Sequence, residues 1–231
     1  MNHYFKQFSQ IFCVISNKEH GSMKLFNPDD KKNKAAFLKK LNIDPKKVIG
    51  AHLKATSNCQ IIKNNAQKII PNCDALVSPS KDLFLSVSVA DCFAVFFFEP
   101  NKNIIGVAHA GWRGILKGVI ENSLEKIKKL GAGPENLQIE IGPGIQSCHF
   151  EIQSDIKKHF LKFPGRIQER NNKIFIDLNS IVKEKLIQKG VEKKNITDQN
   201  ECTFCKNKKY FSFRRDKPKQ TQAMLALIGR I

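Results

Sequence analysis

"LFLSVSVADCFAVFFFEPNKNIIGVAHAGWRG", residues 83–114, decides the fold class. Leu83, Leu85, Val87 and Val89 alternate with other residues at the period of a strand. Asp91 and Cys92 interrupt. Residues 95–98 then run apolar without alternation, as a strand covered on both faces does. Pro100 and Asn101 mark a turn, and a third strand leads to His109. After Gly114, Ile115, Leu116, Val119, Ile120, Leu124, Ile127 and Leu130 recur at helical spacing up to Gly131, which reads as one amphipathic helix with a glycine stop. A strand-loop-helix unit thus carries His109 in its loop.

Working outward from this unit, "PNCDALVSP" is bounded by Pro71 and Pro79 and reads as a loop around a brief strand. "KVIGAHL" and "CQIIKN" are two short strand candidates, with His52 in the first. Residues 31–41 carry Ala35, Phe37, Leu38 and Leu41 at helical spacing. Toward the C-terminus, "LQIEIGPGI" is a strand into a Gly-Pro turn, residues 151–160 a short helix, and "KIFIDL" a strand followed by the helix "NSIVKEKLIQKG". The tail mixes cysteines, aromatics and arginines before one apolar run. There is no internal repeat or long linker, so residues 1–231 are expected to form one α+β domain with mixed β-sheets covered by helices.

With 231 residues and 41% hydrophobic content, the chain can bury a full core. Its first residues, "MNHYFKQFSQIFCVISNK", lack the apolar middle section and small-residue cleavage site of a signal peptide. No window reaches the eighteen apolar residues of a membrane span. A cytoplasmic location and no membrane partner are the expectations. Cys13, Cys59, Cys73, Cys92, Cys148, Cys202 and Cys205, an odd number, then read as free thiols or metal ligands.

The net charge of +18 comes mostly from lysines scattered among asparagine and isoleucine, a compositional bias. The aromatics sit in strand-like runs and do not interleave with the lysines, which argues against nucleic acid. The positive field favours a phosphorylated or anionic co-substrate.

Cys92 and His109 flank one intervening strand, so adjacent strand ends bring both to one sheet edge. With His52 on a third strand, one cysteine and two histidines make a catalytic zinc set with a fourth position left for water. Asp91 beside Cys92 suits a ligand-orienting or proton-accepting role, or one holding the loop. Arg113 suits bidentate contact with phosphate. Trp112 is either a platform for a planar base or a wedge between turn and helix.

"ADC", "AHAGWRG", "IGPGI" with "CHFE" after it, and the terminal "CT", "FSFRR" and "GR" resemble the YfiH family, also known as the multicopper polyphenol oxidase or laccase domain. "VIGAHL" and "PNCDALVS" fit as well, and the likeness covers residues 48–231. It implies one zinc on His52, Cys92 and His109, a site open to purine nucleosides, and family members that act on them. The implied activities are phosphorolysis of adenosine, inosine or methylthioadenosine with inorganic phosphate, and adenosine deamination. Three ligands and six histidines in all do not make several copper centres, so the donor chemistry sides with zinc.

On this reading Asp91 and Arg113 are the catalytic candidates. Arg113 holds phosphate, assisted by backbone amides near Gly111, and Trp112 and His149 are substrate contacts. His149, beside Cys148, stands where the family usually has tyrosine, and a purely structural role is open to it too. Arg214 and Arg215 match a double arginine read as loop anchors or subunit contacts, in a monomer or homodimer. Cys202 and Cys205 form a lone Cys-x-x-Cys, read as structural. The front, residues 1–47, departs from the family. "VISNKEHGSMKLFN" has Asn17 and Lys18 near a usual arginine, and Lys18 replaces its phosphate contact incompletely because a point charge lacks the guanidinium fork. Two alternatives stand: a cysteine hydrolase with Cys92 as nucleophile and His109 as base, or a catalytically impaired basic binding protein.

Overall fold

The apolar run of residues 95–98 lies in a central strand with both faces covered. The computed structural model describes residues 1–24 and 28–231, so the last three residues of "VISNKEHGSMKLFN" lie outside the described ones. In chain order the elements are β1 (Asn2–His3), β2 (Ile11–Ile15), α1 (Pro28–Lys40), β3 (Val48–Ala51), β4 (Cys59–Ile61), β5 (Ile69–Ile70) and β6 (Ala75–Ser78). Next come β7 (Phe84–Val89), β8 (Phe93–Glu99), β9 (Ile104–Ala110), α2 (Trp112–Lys117) and α3 (Val119–Lys129). The remainder comprises β10 (Gln138–Ile141), β11 (Glu151–Ile152), α4 (Ser154–Lys157), β12 (Ile167–Arg170) and β13 (Lys173–Ile176). It ends with α5 (Leu178–Gln188), β14 (Ile196–Asp198), α6 (Phe213–Asp216) and β15 (Met224–Arg230).

Two mixed six-stranded sheets stack face to face, in the orders β1-β2-β15-β7-β3-β5 and β14-β10-β8-β9-β6-β4, beside a three-stranded sheet β11-β13-β12. The first combines antiparallel pairs with the parallel pairs β3–β7 and β3–β5. Alternation along β8 explains the packing. Phe96 and Phe98 enter the layer between the sheets with Leu85, Val87, Ala226 and Ile228. Phe93, Val95 and Phe97 face the other way, against Val119, Ile120 and Ile127 of α3 and Ile181 and Leu186 of α5. Val14, Phe84 and Leu227 on the far face of the first sheet meet Phe37 and Leu38 of α1. Each buried phenylalanine contributes about 1.5–3 kcal/mol, enough to fix which face of β8 looks where. This is the expected α+β architecture, mixed sheets covered by helices.

Three details differ from the sequence reading. The single helix expected after Gly114 is two helices, starting at Trp112 and broken at Gly118. Gly118 is left-handed, with φ 96°, and its N–H closes α2 onto the carbonyls of Gly114 and Ile115. Only glycine takes that geometry cheaply. Residues 151–160 are only partly helical, because Glu151 and Ile152 pair with β13 before α4 begins. Finally, β7 and β8 are consecutive but lie in different sheets, and residues 90–92 carry the chain across with Asp91 at φ 79°.

Candidate functional site

That crossing places the site. β3 and β7 run parallel, with Val48 opposite Phe84, so His52 and residues 90–92 leave the same end of the first sheet. In the second sheet Ala94 pairs with His109 and Phe93 with Ala110, which sets Cys92 beside Gly111. The Cys92 sulfur and the His109 imidazole lie side by side over Gly111. A Cβ on Gly111 would lie 2.9 Å from Cys92 Sγ and 3.7 Å from His109 Nε2, so the glycine is the space the pair occupies. His52 is half-buried at the end of β3, its N–H donating to the Ile70 carbonyl at 2.8 Å.

Asp74, just before β6, is the residue that motif reading missed. It is fully buried, and its Oδ1 lies 2.9 Å from His109 Nδ1. The same carboxylate accepts from the N–H groups of Lys54, Ala55 and Thr56 and from Thr56 Oγ1. It therefore pins the loop that follows His52 to the strand end that carries His109. Burial alone would lower the pKa of His109, but the Cys92 sulfur and the Asp74 carboxylate raise it to about 10. Burial alone would raise Asp74, and the donors from His109 and Thr56 bring it down to about 2. With Nδ1 engaged by Asp74, Nε2 is the nitrogen turned toward Cys92.

Asp91 is buried with both carboxylate oxygens taken, Oδ1 by Thr203 Oγ1 and Oδ2 by the Arg214 N–H, each at 2.7 Å. Its carbonyl accepts from the Ile145 N–H. Arg215 spans the carbonyls of Thr203, Phe204 and Tyr210, the geometry of a loop anchor. Arg214 Nη1 donates to the Glu151 carbonyl at 2.6 Å. Trp112, Arg113, Phe150, Ile156, Arg214 and Lys217 are among the residues lining an open cleft of about 460 Å³. The Arg113 guanidinium sits 4.3 Å from the Trp112 ring centroid, and the indole also meets Phe160. Lys18 and His149 are not on this wall. Lys18 Nζ instead lies 3.7 Å from Asp216 Oδ2.

His149 belongs to a second group. The donor atoms of Cys148, His149, Cys202 and Cys205 all lie within 4.8 Å of one another, an arrangement that can hold a metal ion. The lone Cys-x-x-Cys of the sequence reading thus has its second half in Cys148 and His149, which come from the loop after β10. No spacing rule joins residues so far apart in the chain, so sequence alone left the pair structural. His52, Cys92 and His109 do not form such a set among the described residues.

A family model described as multi-copper polyphenol oxidoreductase laccase matches residues 28–231. The chain belongs to this family. The match begins before residue 48, where the recognisable motifs start. A purine nucleoside phosphorylase of Rickettsia conorii is 31% identical over 228 residues, 92% of this chain and 88% of that protein. A purine nucleoside phosphorylase of Aquifex aeolicus is 31% identical over 147 residues, 64% of this chain and 66% of its own length. An adenosine deaminase from an unknown prokaryotic organism is 30% identical over 148 residues, 62% of this chain and 56% of that protein. Against these last two, the matched stretch spans just under two thirds of the relative or less. The laccase-type fold matches YlmD from Geobacillus stearothermophilus with a TM-score of 0.90 at 22% identity, covering 97% of this chain and 93% of that one. NMB0706 of Neisseria meningitidis gives 0.84 at 22% identity, covering 100% and 98%. Among the described residues of this family member, no helix is long and apolar enough to cross a membrane.

Proposed function

We propose that this chain is a zinc-dependent purine nucleoside phosphorylase with adenosine deaminase activity at the same site. The observation that supports it is Cys92 and His109 in contact, with His109 backed by the buried Asp74, beside the cationic cleft. Sulfur and imidazole donors are a zinc set, and Asp74 on Nδ1 leaves Nε2 as the free donor. His52, held at the same end of the sandwich, would be the third ligand on this reading, and because the three donors do not already form a metal-holding set, zinc would have to draw the His52 ring toward Cys92 and His109. Held there, zinc would supply Lewis-acid polarisation.

The chain's own residues account for the rest. Arg113, Arg214 and Lys217 bind inorganic phosphate, and Trp112 borders the purine. As a phosphate oxygen bonds to C1′, the bond from C1′ to the purine breaks and its electron pair leaves with the base. Because both its oxygens are engaged, Asp91 serves by holding Cys92 and Arg214 in place. Asp216 partners Lys18, which contributes to the field of the cleft from outside its wall. The assay is adenosine and inosine turnover with and without phosphate, with free base and inosine quantified. Arg113→Ala is expected to impair phosphorolysis more than deamination, and equal losses sink the assignment.

A second reading has a specific observation of its own. Cys92, His109 and Asp74 lie in the order thiol, imidazole, carboxylate, with the last two hydrogen-bonded, which is the arrangement a cysteine hydrolase needs. It requires no residue beyond those the structure already connects, and in that respect it is the better supported of the two. The relatives named as phosphorylases favour the first. Metal content separates them: zinc lost in His109→Ala supports the phosphorylase. Zinc content unchanged in His109→Ala, with inactivation by alkylation of Cys92, supports the hydrolase.

A further inference from the structure

Cys148, His149, Cys202 and Cys205 take no part in either reading. A tetrahedron with Zn–S bonds of ~2.3 Å has S···S edges of ~3.8 Å, and S···N edges a little shorter. Cys148 Sγ and Cys205 Sγ are 3.7 Å apart. His149 Nδ1 lies 3.2 Å from Cys148 Sγ and 3.3 Å from Cys205 Sγ, so one nitrogen faces both sulfurs. The backbone N–H of Gln146 points at Cys202 Sγ at 3.5 Å, a donor suited to a metal-bound sulfur. The imidazole is held by stacking on Phe204, ring centroids 4.0 Å apart and planes 15° from parallel.

We propose that these four side chains bind one zinc ion as a closed Cys3His site, separate from the Cys92 and His109 pair. Four protein donors leave no position for water or substrate, so this zinc is structural. Its place in the fold gives it a task. It ties the loop after β10 to the segment between β14 and α6, which otherwise meet at the Gly144–Cys202 bridge. Thr203, between two of the ligands, donates to Asp91, and Arg215 fastens the carbonyls of Thr203 and Phe204. Arg170 caps the other half through the carbonyls of Ser147 and Cys148. The ion would thus brace the corner that holds Cys92 and Arg214.

The test uses the full chain, purified reduced and without chelator, with zinc counted by elemental mass spectrometry and cobalt as the spectroscopic probe. Cys92→Ser is expected to retain one ion per chain. Its cobalt form should show tetrahedral d–d bands with the strong charge-transfer absorption of several thiolates. Cys148→Ser with Cys205→Ser should lose that ion and that absorption, and Cys205→His should restore the ion with a weaker charge-transfer band. Cys148 and Cys205 are exposed, so a second readout is alkylation followed by peptide mass spectrometry. The two thiols should resist the reagent until chelator is added. Immediate alkylation of both in reduced, zinc-supplied Cys92→Ser protein would overturn the proposal, as would a Cys148–Cys205 disulfide in place of bound metal. Because the readout is taken in Cys92→Ser, failure of the Cys92 and His109 reading leaves it intact.

Discussion

Asp74 shows what one side chain can hide from a sequence. Within "PNCDALVSP" it is one acidic residue before a short strand, and no spacing links it to His109, 35 residues on. The link is cross-strand register: Ala75 pairs with Ala108, and the His109 N–H donates to the Asp74 carbonyl at 2.7 Å. Asp74→Asn replaces one carboxylate oxygen by a donor facing other donors, which costs about 1–3 kcal/mol. It also removes the charge behind His109, so zinc affinity should fall roughly 10–100-fold. Urea unfolding and competition with a chelating dye read the two effects, and unchanged values in either would remove Asp74 from the site. Gly111→Ala tests the space itself. Its Cβ would press on the Cys92 sulfur at 2.9 Å, so activity and metal binding should drop while far-UV circular dichroism stays native. Full activity would show that the pair can move aside.

At the scale of elements, the most legible parts were strands buried on both faces, because an uninterrupted apolar run has few other homes. β8 is the clearest case. β1, β5 and β14 are two or three residues long and exist through their neighbours, so no local pattern marks them. β15 stood out as an apolar run, but its insertion between β2 and β7 is a long-range fact. The crossing between sheets was hidden for a different reason: Asp91 adopts positive φ without being glycine, so the usual turn signal is missing. Gly118 sets pattern against structure directly. Apolar spacing runs straight through it, and a continuous helix would be stabilised by alanine there. In the broken geometry, φ 96° makes Gly118→Ala destabilising by about 1 kcal/mol. The urea midpoint decides by its sign, and an increase would mean that α2 and α3 are one helix.

For the molecule as a whole, the surplus of 39 basic over 21 acidic residues acquires a direction once the cleft is located. Lysine scattered over a surface makes a diffuse positive field, screened over about 8–10 Å at moderate salt. Arg113, Arg214 and Lys217 on one wall make a local one, and an anion gains far more from the second than from the first. Arg214 is the best placed of the three, since its backbone is fixed by Asp91 and its guanidinium by the Glu151 carbonyl. Inorganic phosphate that binds only the folded chain should therefore stabilise it by about 2.7 kcal/mol at a concentration of 100 Kd. The rise in melting temperature should saturate with phosphate and shrink as sodium chloride is added. Arg113→Ala should remove most of it, while a surface change such as Lys129→Ala, outside the cleft, should leave it intact. If the two variants lose the same fraction of the shift, phosphate is responding to the overall charge and the cleft is not its site. If Arg113→Ala alone loses it, the basic composition acts at one place, the cleft whose Trp112 and Arg113 follow directly on Gly111, the residue packed against Cys92 and His109.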